Sequence, residues 1–137
     1  MKIGISACLY GHKCRYDGAD KKNEELLKAL EGNELIPICP ELCAGFPIPR
    51  ESIEILNDRV LTKDKTDLTQ QLYQGCVSAF EQIKDCDILI LKEKSPSCGV
   101  REIYDGFFTG KTIKGSGLFT RYCLEKGIPV LNEEDFM

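Results

Sequence analysis

The chain has 137 residues, 42% of them hydrophobic and 29% charged, with a formal net charge of −4. That length suits one domain with a real core, and the acidic balance speaks against a stable nucleic-acid complex, which a basic surface would serve better. No run approaches the roughly 20 apolar residues that span a bilayer, and the opening run from Ile3 to Leu9 is too short for a signal sequence, so a single domain over residues 1–137, cytoplasmic and off the membrane, is the expectation.

In chain order, residues 2–6 read as a first strand, and Asn23 as the cap of a helix running through Leu30, with Glu24 and Glu25 in its first turn and Gly32 just past its end. Residues 35–38 form a second strand. Residues 53–62, with Asn57-Asp58 in the middle, read as a small hairpin. Asp67 is placed to cap a long helix in which Leu68, Leu72, Cys76, Phe80 and Ile83 make a stripe at helical spacing. Residues 87–91 are a third strand, residues 104–117 a glycine-rich irregular excursion, residues 118–126 a third helix stopped by Gly127, and residues 128–131 a fourth strand. The strands are near-continuous apolar blocks, as both-face burial requires. Their alternation with helices predicts an α/β fold: a three-layer, Rossmann-like parallel sheet of about four strands with helices on both faces.

In a parallel sheet the strand C-terminal ends share one edge, where ligand sites of such folds lie. Three of the eight cysteines fall there: Cys8 after the first strand, Cys39 after the second and Cys98 after the third. Cys76 and Cys123 lie on apolar helix stripes and read as core, and Cys86 precedes the third strand, at the opposite edge. Cys14 and Cys43 are near enough to be auxiliary ligands or thiols. In a reducing compartment clustered thiols point to metal or thiol chemistry rather than disulfides. A structural zinc would want four Cys/His ligands, and the single histidine, His12, is a poor fourth. Three thiolates on an iron–sulfur cluster leave one iron open, where chemistry can occur.

Around these thiols, Glu41 is a candidate acid/base or a partner of Arg50, and the hydroxyls of Ser95 and Ser97 suit substrate binding, water orientation or turn capping. The run Arg15-Tyr16-Asp17-Gly18 reads as a tight turn whose arginine suits an anion or an ion pair. There is no Walker loop, no dinucleotide-binding glycine motif, no Cys-x-x-Cys, and no arginine at phosphatase-loop spacing from Cys8 or Cys98.

Three motifs in order, Ser6-Ala7-Cys8-Leu9 with Arg15-Tyr16-Asp17-Gly18, Cys39-Pro40-Glu41 with Pro49-Arg50, and Leu91-Lys92 with Ser95-Pro96-Ser97-Cys98-Gly99, resemble the thiouracil desulfurase (TudS-like) family over nearly the whole chain. The resemblance implies a 4Fe–4S cluster held by Cys8, Cys39 and Cys98, and a small thiolated substrate such as 2-thiouracil losing its sulfur as sulfide without net redox change. It further implies that Glu41 and a serine of the Ser95–Ser97 pair, Ser97 in preference, assist protonation and attack by water. Cys43 stands where the family is expected to carry an apolar or small residue, so it rivals Cys39 as ligand. A metal-independent persulfide sulfurtransferase using Cys8 or Cys98, and a non-catalytic metal-binding protein, are the alternatives.

Overall fold

A computed structural model describes residues 1–136. Strand β1, Lys2–Ser6, runs into a single helical turn, α1, Ala7–Tyr10, and then to helix α2, Glu24–Ala29. Asn23 caps α2 as predicted, its Oδ1 accepting from the Leu26 amide at 3.0 Å. Strand β2, Glu34–Ile38, leads into a second short turn, α3, Pro40–Cys43, with Pro40 at its first position. The hairpin β3, Glu54–Leu56, and β4, Arg59–Leu61, turns through Asn57 and Asp58, both at positive φ as a tight two-residue loop requires.

Helix α4 spans Thr69–Ile83. Asp67 sits one residue before its cap: Oδ1 accepts the Thr69 amide at 2.9 Å while Oδ2 takes Arg59 of the hairpin, so this side chain also ties hairpin to helix. Its buried face is Leu72, Gly75, Cys76, Ala79 and Ile83, with Phe80 on the border against Tyr122 rather than inside. Strand β5, Ile88–Leu91, follows. The segment 104–117, expected to be irregular, is instead part of a second hairpin that begins just before it: β6, Glu102–Tyr104, pairs with β7, Thr112–Lys114, short strands obscured in the sequence by the glycines between them. Helix α5, Leu118–Glu125, strand β8, Val130–Asn132, and a final 3-10 turn, Glu133–Phe136, complete the order. Strand β8 begins two residues later than predicted, past Pro129, which has no amide hydrogen to give to a ladder.

The main sheet is parallel with order β2-β1-β5-β8. β1 pairs with β2 from Lys2↔Glu34 to Ser6↔Ile38, and on its other side with β5 from Ile3↔Ile88 to Ile5↔Ile90. Along β5, successive side chains enter opposite cores. Leu89 and Leu91 pack with Leu72, Cys76 and Ile83 of α4 and Phe119 and Cys123 of α5. Ile90 packs with Ile3, Ile5, Leu9, Leu26 and Leu30 under α1 and α2. Helices thus cover both faces, and each fully buried Leu or Ile contributes about 1.5–3 kcal/mol against the ordering entropy. Among the described residues no helix is long and apolar enough to cross a membrane.

From β1 the chain crosses to β2 on one side, then returns to β5 and β8 on the other. The direction of winding therefore reverses between β1 and β5, and a crevice opens beyond their C-terminal ends. Ser6 closes the base of that crevice: its buried hydroxyl accepts the Lys92 amide at 2.9 Å, joining the ends of β1 and β5.

Candidate active site

A cavity of about 650 Å³ occupies this crevice, and Cys8, Cys14, Cys39 and Cys98 all line it, together with Glu41 and Ser97. The four thiols arrive from three connections, Cys8 and Cys14 sharing the one after β1. Cys8 is on α1. Cys39 is the extended residue capping α3, at φ −136° and ψ 103°. Cys98 lies in the loop after β5, 5% exposed. Cys14 follows α1 and is also buried. Cys43 does not line the cavity; it lies at the end of α3, where Gln82 of α4 approaches its sulfur at 3.7 Å. Cys76 and Cys123 are in the core beneath α4 and α5, and Cys86 lies at the opposite end of β5.

Close helix packing sets Cys39 and Glu41 in place. A Cβ on Gly75 of α4 would stand 2.5 Å from both the Pro40 carbonyl oxygen and the Ala44 Cβ, so only glycine lets α3 lie this near. A similar approach fixes the Cys98 loop. The amides of Leu118 and Phe119, at the start of α5, donate to the carbonyls of Pro96 and Ser97 at 2.9 Å each, and a Cβ on Gly117 would strike the Ser97 carbonyl. The loop therefore satisfies amides that the helix start leaves open.

Glu93, 6% exposed, holds the loop from the other side. Its Oε1 accepts the amides of Val100, Arg101 and Glu102 at 2.7, 2.9 and 3.0 Å, and its Oε2 accepts Asn132 Nδ2 at 2.6 Å. Burial opposes ionisation of this carboxyl, but the amide bonds together outweigh it and hold its pKa below the ordinary glutamate value. A depressed folded-state pKa gives stability that is present above the unfolded value, near pH 4.3, and is lost as pH falls through the lower folded value. Glu93→Gln is therefore expected to melt below the parent at pH 6, and the gap to narrow as the pH falls toward 3 in thermal denaturation followed by circular dichroism; a gap constant across that range would refute the assignment.

Glu41 and the two serines form one chain of hydrogen bonds. Arg50 holds Glu41 Oε1 through Nη2 at 3.0 Å and Nε at 3.3 Å, and also reaches the carbonyls of Cys14 and Pro47. Ser97 Oγ donates to Glu41 Oε2 at 2.9 Å. Ser95 Oγ accepts the amides of Ser97 and Cys98 and lies 3.0 Å from Ser97 Oγ. Because Ser97 gives its hydrogen to the carboxylate, Ser95 is the donor to Ser97, and the order runs Ser95 to Ser97 to Glu41. Sequence reasoning set Arg50 against the catalytic reading of Glu41; in the structure the arginine and Ser97 occupy different oxygens. Lys92 carried no assignment in the sequence, although a lysine directly after an apolar strand lies at the ligand edge. It lines the cavity, and Nζ pairs with Glu133 at 3.1 Å.

The thiols differ in their surroundings. Burial first, and Cys39 second, push Cys8 up to about 11. Burial likewise raises Cys98 well above the ordinary thiol value, with Cys39 and Cys8 adding to it. Cys39 goes the other way, to about 7, chiefly because the Cys14 thiol donates to it. Thiolates crowded in a half-dry crevice repel one another, and a cationic centre relieves that repulsion and draws off the protons. Among the described residues no three His, Cys, Asp or Glu side chains stand close enough to hold a single metal ion. A cluster sets a lower demand on closeness, since each thiolate binds a separate iron.

The chain matches the family model described as 2-thiouracil desulfurase over residues 3–135. It is 34% identical to the uncharacterized protein YbbK of Bacillus subtilis (strain 168), over 97% of this chain and 96% of that one. Among solved structures it resembles a 4Fe–4S-dependent thiouracil desulfidase, TudS, with a TM-score of 0.91 and 37% identity, over 98% of this chain and 91% of that one.

Proposed function

This chain belongs to the 2-thiouracil desulfurase family, and from that premise we propose that it exchanges the thiocarbonyl sulfur of a thiolated pyrimidine, or a similar small compound, for oxygen, with a 4Fe–4S cluster held by Cys8, Cys39 and Cys98. The observation that carries this reading is one cavity lined at once by those three thiols and by the Glu41–Ser97 pair. The donor set suits such a group: soft thiolates and no imidazole among the lining side chains, with Cys14, the fourth thiol of the lining, engaged with Cys39 and the three proposed ligands leaving one iron of a cluster open. When bound, the cluster supplies an iron with an open coordination position, a Lewis acid for sulfur.

The overall change is thiocarbonyl plus water to carbonyl plus hydrogen sulfide, with no electron donor or acceptor. The protein's part is proton management and positioning. Glu41, with one oxygen fixed by Arg50, presents the other to Ser97, and so takes a proton from water or a hydroxyl and returns it to the departing sulfur. Ser95 donates to Ser97 and keeps that hydroxyl aimed at Glu41. Arg15, Lys21, Lys63 and Lys94 line the cavity with no carboxylate in ion-pair contact among the described residues. Those cations favour a thiolated base that carries an anionic group.

The test is anaerobic reconstitution with iron and sulfide, then sulfide release from 2-thiouracil, its nucleoside and its nucleotide. A brown protein that releases sulfide and yields the oxo product is expected. A colourless protein that takes up no iron, or sulfide release independent of iron, would defeat the proposal. The second of those results would favour a thiol-based transferase, and the thiol to suspect is then Cys39, held at about 7, rather than Cys8 or Cys98.

A further inference from the structure

Part of the cavity lining comes from the two hairpins, and neither contributes to the chemistry described above. Tyr104 and Phe108 line the cavity from the second hairpin, and Glu54 from the first. Phe107, next in line, is 66% exposed and outside it.

Two features of this wall call for a reason. Phe108 has φ +57°, a left-handed conformation rare for a bulky aromatic residue and retained only where the surroundings hold it. Glu54, in β3, is 9% exposed and has no ion-pair partner among the described residues. The second feature explains the first. Glu54 Oε1 accepts the amide of Gly106 at 3.0 Å and the amide of Phe108 at 3.1 Å, so one carboxylate oxygen sets the two amides that define the backbone at the tip. Asp105 completes the turn: Oδ1 accepts the Phe107 amide at 2.8 Å and Oδ2 the Thr109 hydroxyl at 2.6 Å. A loop needed only to join two strands has no use for a strained aromatic residue or a buried carboxylate.

We infer that Phe108, with Tyr104, forms the face on which a planar thiolated heterocycle stacks, and that Glu54 is a positioning residue which holds Phe108 there. This rests on the proposed desulfurase function for the identity of the ligand, though not for the presence of the aromatic wall. Flat aromatic faces bind heterocycles with little dependence on their substituents. Stacking orients the ring and leaves the sulfur free to point at the thiols. An interaction of this kind is made equally in the ground state and afterwards, so its loss shows in KM and not in kcat.

The experiment uses the reconstituted enzyme with 2-thiouracil as substrate and uracil as an unreactive ligand, its binding measured by calorimetry. Phe108→Leu is expected to raise KM for 2-thiouracil and Kd for uracil about tenfold, with kcat changed less than about twofold and Phe108→Tyr close to the parent. Glu54→Leu should match Phe108→Leu, Glu54→Gln, which keeps an acceptor oxygen, should restore the parent values, and the double leucine variant should lose no more than either single one. Unchanged uracil affinity in Phe108→Leu overturns the inference. So does a Glu54→Leu protein that keeps its melting temperature and its affinity. Should Glu54→Leu fail to fold, the Phe108 pair still decides the stacking role. A parent that binds uracil but releases no sulfide from any thiolated base would instead count against the proposed function.

Discussion

Replacing Cys98 by serine is expected to give a folded, colourless protein with no detectable sulfide release. Its sulfur is the most enclosed of the three proposed ligands, in a loop gripped by Glu93 on one side and the start of α5 on the other. A rigid loop cannot bring another donor into that place, and a serine hydroxyl is a poor ligand for iron at neutral pH. Cys8→Ser and Cys39→Ser should give the same loss of visible absorbance and iron content. Cys43→Ala should not, because its sulfur lies against Gln82 on α4 and not in the cavity. Iron retained by Cys39→Ser and lost by Cys43→Ala would reverse the assignment. Cys14→Ala is the informative intermediate: the Cys39 thiol then loses its donor and moves up from about 7, so cluster assembly should need a higher pH while the assembled enzyme keeps its activity.

The apolar blocks and the helical stripes carried most of the fold in plain view. Continuous burial along residues such as Leu89, Ile90 and Leu91 requires cover on both faces, and that requirement alone leads to three layers. Cysteines placed directly after strands then fall on one edge whatever the strand order. The order itself was hidden, because nothing local says that β1 lies between β2 and β5. The single-turn helices α1 and α3 were hidden for a different reason: four residues show no periodicity. That gap had a consequence at Cys39 and Cys43. Four positions apart on a helix they would share a face, but Cys39 is extended and only Cys43 is helical, so their sulfurs diverge. Contacts between distant segments were also beyond local reading: Ser97 meets Glu41 across 56 positions, and Glu54 meets the second hairpin across more than 50.

Ser97→Ala and Glu41→Gln should each lower kcat by about 10²–10⁴-fold while leaving iron content and visible absorbance as in the parent. The prediction follows from donors and acceptors. In Glu41→Gln the side-chain oxygen is drawn to Arg50, which only donates, and the amide nitrogen is left facing Ser97, where it donates to the hydroxyl instead of accepting from it. The hydrogen of Ser97 then has no acceptor at that position, and the group that would carry the proton between water and sulfur is gone. Ser97→Ala removes the same link from the other end, so the double variant should be little worse than either single one, as residues acting as a unit require. Ser95→Ala tests the direction of the chain. Its oxygen supports the Ser97 and Cys98 amides as well as the Ser97 hydroxyl, so its loss should reduce both kcat and cluster retention, the latter by more than in Ser97→Ala, whose hydroxyl reaches the Cys98 sulfur only at 3.7 Å. Single-turnover sulfide release at matched iron content separates these cases. If Glu41→Gln and Ser97→Ala multiply instead of saturating, the two groups act in different steps, and the chain from Ser95 to Glu41 is a structural brace for the Cys98 loop rather than a proton path.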